Sequence, residues 1–234
     1  MPAPASTSPF AFRHEPNATP VEANERAKRL IDPGFGRVFT DHMAMIRYSE
    51  TEGWHDARIT ARAPLTIDPA SSVLHYAQEI FEGMKAYRLA DGGTALFRPE
   101  ANARRFQDSA RRLAMPELPE ELFLESVERL VKADADWIPE SDGGALYLRP
   151  FMFASEVFLG VKPSAEYLYC VIASAVGNYW PGGARSVSRF LMSWSAARRA
   201  ERGPSPGMRP RSWIRRSISG PATAWGMRVR NGCD

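Results

Sequence analysis

The chain has 234 residues, of which 44% are hydrophobic and 24% are charged, which is the composition of an ordinary globular protein. No run approaches the length of apolar sequence that crosses a bilayer, and the first ten residues lack the basic and apolar regions of a secretory signal, so we expect a cytoplasmic protein. Two cysteines and four histidines without paired spacing argue against a disulfide framework and against a metal centre.

The net charge of +3 hides a division between two parts of the chain. Residues 1–188 carry 20 basic and 25 acidic residues, whereas residues 189–234 carry ten arginines and only two acidic residues. Such a basic segment is typical of an arm that binds nucleic acid or a membrane. The same segment mixes Pro, Gly, Ser and Arg without a period of 2 or 3.6, so no secondary structure is predicted in it.

The hydrophobic pattern predicts a mixture of strands and helices. Residues 1–28 are rich in Pro, Ala and polar residues and are predicted to be a mobile lead-in. Apolar runs then predict strands over 38–48, 57–67, 80–89, 94–98, 144–153 and 167–173, and the last run is apolar enough to be buried on both faces.

Two helices are predicted between these strands. One follows Pro99 and the other covers 119–133. Their expected buried faces consist of Phe106, Ala110 and Leu113 in the first helix and of Phe123, Val127, Leu130 and Val131 in the second. Because strands and helices do not alternate strictly, we expect an α+β or mixed α/β domain over residues 29–183.

Tyr147 and Arg149 form the most suggestive local pattern. Residues two apart on a strand share a face, so these two side chains should project together while Leu146 and Leu148 point into the core. A phenol beside a guanidinium suits the recognition of a carboxylate. The alternative is a solvated strand face on which Arg149 merely extends into water.

Basic residues at two further places are candidates for chemistry. Arg105 lies on the first predicted helix and could present its guanidinium to a phosphate, or it could belong to a surface stripe in which Asp108 pairs with Arg105 and Arg112. Lys85 lies in a largely apolar strand, where an amine could form a Schiff base or could be structural.

Five segments together resemble the branched-chain aminotransferases, which are pyridoxal-phosphate (PLP) enzymes of fold type IV. They occur in the order and spacing of that family at residues 36–43 (GRVFTDHM), 71–87 (SSVLHYAQEIFEGMKAY), 96–106 (LFRPEANARRF), 146–164 (LYLRPFMFASEVFLGVKPS) and 179–183 (YWPGG). The resemblance covers residues from about 25 to 188 and implies the N-terminal domain of that architecture, a PLP cofactor and a homodimer.

The resemblance also implies roles for particular residues. Arg105 matches the arginine that binds the PLP phosphate, and Tyr147 and Arg149 match the pair that binds substrate, with Arg149 suited to the side-chain carboxylate of glutamate or 2-oxoglutarate. Three aromatic residues match walls of the pocket for Leu, Ile or Val side chains, namely Tyr76, Phe35 and Tyr179. Val161 matches a loop residue that reaches the neighbouring subunit's pocket.

One departure from the family's pattern is severe, because the Schiff-base lysine that follows the YWPGG segment in the family is absent. The four lysines are Lys28, Lys85, Lys132 and Lys162, none of which matches that position, and only Lys85 is a candidate substitute. We interpret residues 184–234 as an aberrant or truncated remnant of the cofactor-binding domain, produced by a change of reading frame near 185–190. The chain as printed is therefore expected to have little or no transaminase activity.

Three alternatives stay open at this point. The fold could serve a sister activity, namely D-amino-acid transamination or aminodeoxychorismate lysis. It could be a binding module without catalysis. The basic segment, with its interleaved tryptophans, could bind single-stranded nucleic acid through charge and stacking.

Overall fold

A computed structural model of the chain describes residues 12–141 and 143–177. In these residues one sheet of eight strands runs in the order β1-β3-β2-β8-β7-β5-β6, with β4 pairing with a further stretch of β7. The strands are β1 (Arg13–His14), β2 (Val38–Ser49), β3 (Gly53–Ala61), β4 (Glu79–Phe81), β5 (Met84–Arg88), β6 (Thr94–Leu96), β7 (Ala145–Ala154) and β8 (Glu166–Val176). All pairings are antiparallel except that of β1 with β3.

Four α-helices and a short 3-10 helix (Ala135–Trp137) accompany the sheet in the described residues; the α-helices are α1 (Ala23–Ile31), α2 (Ser72–Tyr76), α3 (Pro99–Arg112) and α4 (Glu120–Ala133). Helix α3 begins at a proline, whose missing N–H is harmless in the first turn of a helix. Helix α4 begins with Glu120 and Glu121 and has Lys132 in its last turn, so its charges complement the helix dipole at both ends.

Helices α3 and α4 contribute to the main hydrophobic core, in which three aromatic rings meet. The ring centroids of Phe106 and Phe123 lie 5.5 Å apart, and Tyr169 of β8 lies 5.5 Å from Phe106 and 6.2 Å from Phe123. The Tyr169 hydroxyl is 3.0 Å from the Ser126 hydroxyl, which satisfies a polar group in an otherwise apolar core. Burial raises the pKa of Tyr169 well above its ordinary value.

The second hydrophobic cluster has Cys170 of β8 among its members. Its buried residues are Met43, Met45, Phe153, Leu168 and Cys170. Since Tyr169 and Val171 belong to the main core, β8 is buried on both faces, as its continuous apolar run predicted. Burial raises the pKa of the Cys170 thiol to about 12.

The predicted α+β class is confirmed, and so is the buried stripe of α4, but three details differ. The run predicted as one strand over 80–89 is two strands, β4 and β5, separated at Glu82 and Gly83. Strand β3 begins at Gly53 and ends at Ala61, before Pro64, which cannot donate a ladder hydrogen bond. Leu113 is 43% exposed because α3 ends at Arg112, so its predicted place in the core is wrong.

The boundary predicted for the lead-in also differs from the structure. Residues 12–28 contain β1 and most of α1, so the ordered part begins before residue 29. Two side chains of β2 hold this segment: the Asn17 amide N–H lies 3.3 Å from Nε2 of His42, and the Val21 N–H donates to the Asp41 carboxylate at 3.0 Å. Hydrogen bonds to side chains of β2, which lies 20 or more residues further along the chain, therefore hold this segment in place, and the local composition does not predict them.

Within the described ranges, none of the helices has the length and apolar character needed to cross a bilayer. The same ranges hold no group of three or more side chains arranged to bind a metal ion.

Candidate functional site

Tyr147 and Arg149 project together from β7. Leu146 and Leu148, which alternate with them, are fully buried, so the strand geometry turns the tyrosine and the arginine to the opposite face. Arg149 donates from Nε and Nη2 to the Tyr147 hydroxyl oxygen, at 3.2 and 2.7 Å. The two side chains therefore lie side by side, as their spacing predicted, and their role toward a carboxylate stays a prediction.

Aromatic rings surround this pair. The Arg149 guanidinium carbon lies 4.4 Å from the centre of the Phe81 ring, a cation–π contact, and the Phe35 ring centroid is 5.1 Å from that of Tyr147. Phe35, Tyr147 and Arg149 line a cavity of about 210 Å³. Phe39 and Ile172 contribute further apolar wall, so one guanidinium lies in a largely apolar recess.

Gly83 explains how the chain approaches Tyr147 so closely. A Cβ atom at Gly83 would lie 2.5 Å from the Tyr147 hydroxyl oxygen and 3.2 Å from Cζ. Glycine is therefore required for close packing at this position rather than for an unusual backbone angle. The tyrosine ring is confined between Gly83 on one side and Phe35 on another.

Arg105 is held by Glu82 and not by Asp108. Its Nε and Nη2 donate to the two carboxylate oxygens of Glu82 at 2.9 and 3.0 Å, a bidentate pair. The hydrogen bonds that Arg105 donates to Glu82 raise the pKa of the guanidinium, against a smaller opposing effect of burial. The predicted surface stripe is wrong in its pairing, because Asp108 binds Arg111, three residues further along the helix, and Arg105 binds Glu82.

A second cavity, of about 450 Å³, adjoins this ion pair. Its lining includes three cationic side chains, Lys85, Arg98 and Arg105, together with Asn102 and the backbone of Gly83. Lys85, the candidate substitute for the missing lysine, therefore lies beside the same cavity as Arg105. The donor set of this cavity suits an anion.

The other predicted site residues lie elsewhere or outside the described ranges. Tyr76, on α2, is 41% exposed and does not line the cavity of Arg149. Val161 is 95% exposed in the loop between β7 and β8. Glu156 anchors that loop, because its carboxylate accepts hydrogen bonds from Lys162 Nζ at 2.8 Å and from the Ala165 amide at 2.6 Å. Tyr179 lies outside the described residues.

The tripeptide Phe81–Glu82–Gly83 was not assigned a role from the sequence, yet each of its residues contacts a predicted site residue. Phe81 contacts Arg149 and Glu82 binds Arg105, while the backbone of Gly83 packs against Tyr147. The available signal was the glycine itself, since a glycine inside a strand pattern indicates a close approach of another group.

Curated relatives match about three quarters of the chain. A probable branched-chain-amino-acid aminotransferase of Streptomyces coelicolor is 57% identical over 178 residues, which is 76% of this chain and 49% of that protein. Branched-chain-amino-acid aminotransferases of Mycolicibacterium smegmatis and Bacillus subtilis are 51% and 50% identical, covering 80% and 65% of this chain and 51% and 44% of their own lengths. The chain thus spans about half the length of the relatives it matches.

Solved structures named as branched-chain aminotransferases are also similar to this chain. The enzyme from Thermoproteus uzoniensis gives a TM-score of 0.42 at 20% identity, covering 57% of this chain and 41% of its own. The Escherichia coli enzyme gives 0.42 at 23% identity, covering 62% and 42%. No protein-family model matches the chain. On the strength of the sequence relatives, the matched part of the chain belongs to the branched-chain-amino-acid aminotransferase family, as its N-terminal part.

Proposed function

We propose that this chain supplies the substrate-binding half of a PLP-dependent aminotransferase of fold type IV, which moves the amino group of Leu, Ile or Val to 2-oxoglutarate. The observation that carries the proposal is the pair of guanidiniums at Arg105 and Arg149. Glu82 binds Arg105, and Phe81 contacts Arg149. Gly83 packs against Tyr147, the hydrogen-bond partner of Arg149. A dianionic cofactor and a carboxylate substrate need two such cationic positions. The family membership of the relatives supports the choice of reaction.

The cavity beside Arg105 fits the phosphate of the cofactor. Lys85, Arg98 and Arg105 bring positive charge to its wall, and Arg105 is itself held in one orientation by Glu82. When bound, PLP supplies the electron sink for the reaction. Arg105 would hold the phosphate by charge-assisted hydrogen bonds.

Arg149 and Tyr147 perform different tasks toward a carboxylate. The Tyr147 oxygen already accepts two N–H groups of Arg149, so its own hydroxyl proton is left to donate to a substrate oxygen. Arg149 supplies the charge, and its orientation is fixed on the Phe81 face. The apolar surface of Phe35 and Phe39 in the same recess excludes water and suits a branched aliphatic side chain, so one pocket accepts both substrates in turn.

The other residues to which the resemblance gives a role belong to this proposal. Val161, exposed on its anchored loop, is proposed to reach the pocket of a second subunit in a homodimer, and Tyr179 to complete the apolar wall, whereas Tyr76 lies outside the cavity of Arg149. Residues 29–183 are proposed as the N-terminal domain, and residues 184–234 as a remnant of the cofactor-binding domain. Since no lysine matches the position that attaches the cofactor, we propose that the 234-residue chain does not catalyse transamination.

Two measurements test these statements separately. Purified chain mixed with PLP, leucine and 2-oxoglutarate is expected to form no glutamate above the rate without protein, and turnover at an ordinary enzymatic rate would contradict the assignment of the missing lysine.

Binding is tested with pyridoxine 5′-phosphate, which lacks the aldehyde and cannot react with lysines. The chain should bind it more tightly than pyridoxine, and Arg105→Gln should remove the difference whereas Arg104→Gln, on the same helix, should not. Equal binding of the two compounds by the unmodified chain would refute the cofactor site.

A further inference from the structure

We propose that Glu82 is a positioning residue, which holds one edge of the Arg105 guanidinium so that the opposite edge is presented to the cofactor phosphate. This inference rests on the proposed function, in which Arg105 binds that phosphate. Glu82 does not itself touch the phosphate. It acts through the arginine.

Groups other than Arg105 also hold Glu82 in place. It is only 12% exposed, and its Oε2 accepts a hydrogen bond from Asn102 Nδ2 at 2.8 Å. Asn102 is itself buried and also donates to the Gly83 carbonyl at 3.1 Å. The Glu82 backbone N–H donates to the Pro150 carbonyl at 2.8 Å, which ties the peptide to β7. Glu82 is thus a fixed acceptor rather than a mobile surface carboxylate.

Arg105 depends on that acceptor for its orientation. Its side chain is 59% exposed on α3, where a free arginine samples many rotamers. Glu82 uses the Nε and Nη2 edge, and Nη1 donates no hydrogen bond to another group in the described part of the chain. Arg105 lines a cavity together with Lys85 and Arg98, so an anion bound there would meet a guanidinium that Glu82 already holds. Fixing one edge in advance reduces the conformational entropy lost when an anion binds at the other.

A carboxylate next to a phosphate site also has an electrostatic effect of the opposite sign. Its charge repels a dianion, so removing the charge should tighten binding if Glu82 matters only through Coulomb interactions. If Glu82 instead positions Arg105, removing or shortening it should weaken binding. The two roles therefore predict opposite changes.

The first experiment measures the binding of pyridoxine 5′-phosphate and of pyridoxine to the full chain and to three variants. Glu82→Gln removes the charge and one acceptor, and Glu82→Asp keeps the charge but shortens the reach. Glu79→Gln, an exposed glutamate of β4, is the matched control for charge. We expect both Glu82 variants to bind the phosphate compound about fivefold more weakly, the equivalent of one hydrogen bond, with no change in pyridoxine binding or in Glu79→Gln. Unchanged or tighter binding in both Glu82 variants would overturn the proposal.

The second experiment needs no ligand and keeps the test independent of the proposed function. Solvent exchange of the Arg105 Nε–H is followed by NMR, with Arg105→Lys used to assign the signal and Arg104 as the neighbouring exposed reference. The Arg105 proton should exchange more slowly than that of Arg104, and Glu82→Gln should remove the difference. Equal exchange in the unmodified chain would show that Glu82 does not hold Arg105. If the chain binds neither compound, the proposed function fails, and the exchange rates alone decide the positioning role.

Discussion

Gly83→Ala is the substitution for which the structure predicts the clearest local conflict. The new Cβ would lie 2.5 Å from the Tyr147 hydroxyl oxygen, whereas real Cβ atoms essentially never come closer than 3.0 Å, so the hydroxyl must retreat by about 0.5 Å. The ring is confined on another side by Phe35, and its oxygen accepts two hydrogen bonds from Arg149. We expect a loss of about 1–3 kcal/mol in the free energy of unfolding, as for other overpacked sites.

Urea unfolding of the full chain measures this cost, and a double-mutant cycle identifies its origin. Tyr147→Phe removes the clashing oxygen, so Gly83→Ala should cost about 1 kcal/mol less in that background. Gly177→Ala is the matched control, because the nearest atoms to its new Cβ belong to Pro33 at 4.0 Å. A purely additive cycle, or an equal cost at Gly177, would refute the claim that the Tyr147 hydroxyl sets the requirement for glycine.

Three further predictions concern the core and the exposed loop. Phe106→Ala should lower the free energy of unfolding by about 3–5 kcal/mol in urea denaturation, because the ring is fully buried between two others. In a Cys233→Ser background, Cys170 should resist iodoacetamide at pH 8 until urea unfolds the chain, since its pKa is raised to about 12; rapid labelling of the native chain would contradict its burial. Hydrogen bonds from Lys162 and Ala165 lower the pKa of Glu156, so the ionised carboxylate stabilises the loop. The loop's protection from hydrogen exchange should therefore persist above the ordinary glutamate pKa and be lost as the pH falls through the lowered pKa of Glu156. Glu156→Gln should abolish this pH dependence.

The regular elements could be predicted from the sequence because their cause is local. The stripe of α4 and the continuous apolar run of β8 each depend on a repeat within one element, and both lie in the core as expected. The division between β4 and β5 could not be predicted in this way. It depends on Glu82 turning toward α3 and on Gly83 packing against Tyr147, contacts that join residues far apart in the chain.

The site residues, like the regular elements, could be predicted only where they lie close together on one element. Tyr147 and Arg149 are two residues apart on one strand, so the period of a strand places them together. Phe35 was assigned to the pocket by resemblance alone, since no periodicity connects residue 35 with β7. The error at Arg105 shows the limit of spacing arguments, because Asp108 has the right separation but Glu82 offers a buried, bidentate acceptor that outcompetes an exposed partner.

The two arginines of the site differ in the charge of the groups that hold them. Arg149 is oriented by a neutral hydroxyl and an aromatic face, so neither of these groups offsets its positive charge. Arg105 is oriented by a carboxylate, which offsets part of its charge, and its cavity compensates with Lys85 and Arg98. In the proposed function, the single arginine in a small apolar recess would hold a substrate that leaves in every cycle, and the several cations around a fixed guanidinium would hold a phosphate that stays. The sequence shows arginine at both positions and cannot distinguish them, because the difference lies in their partners.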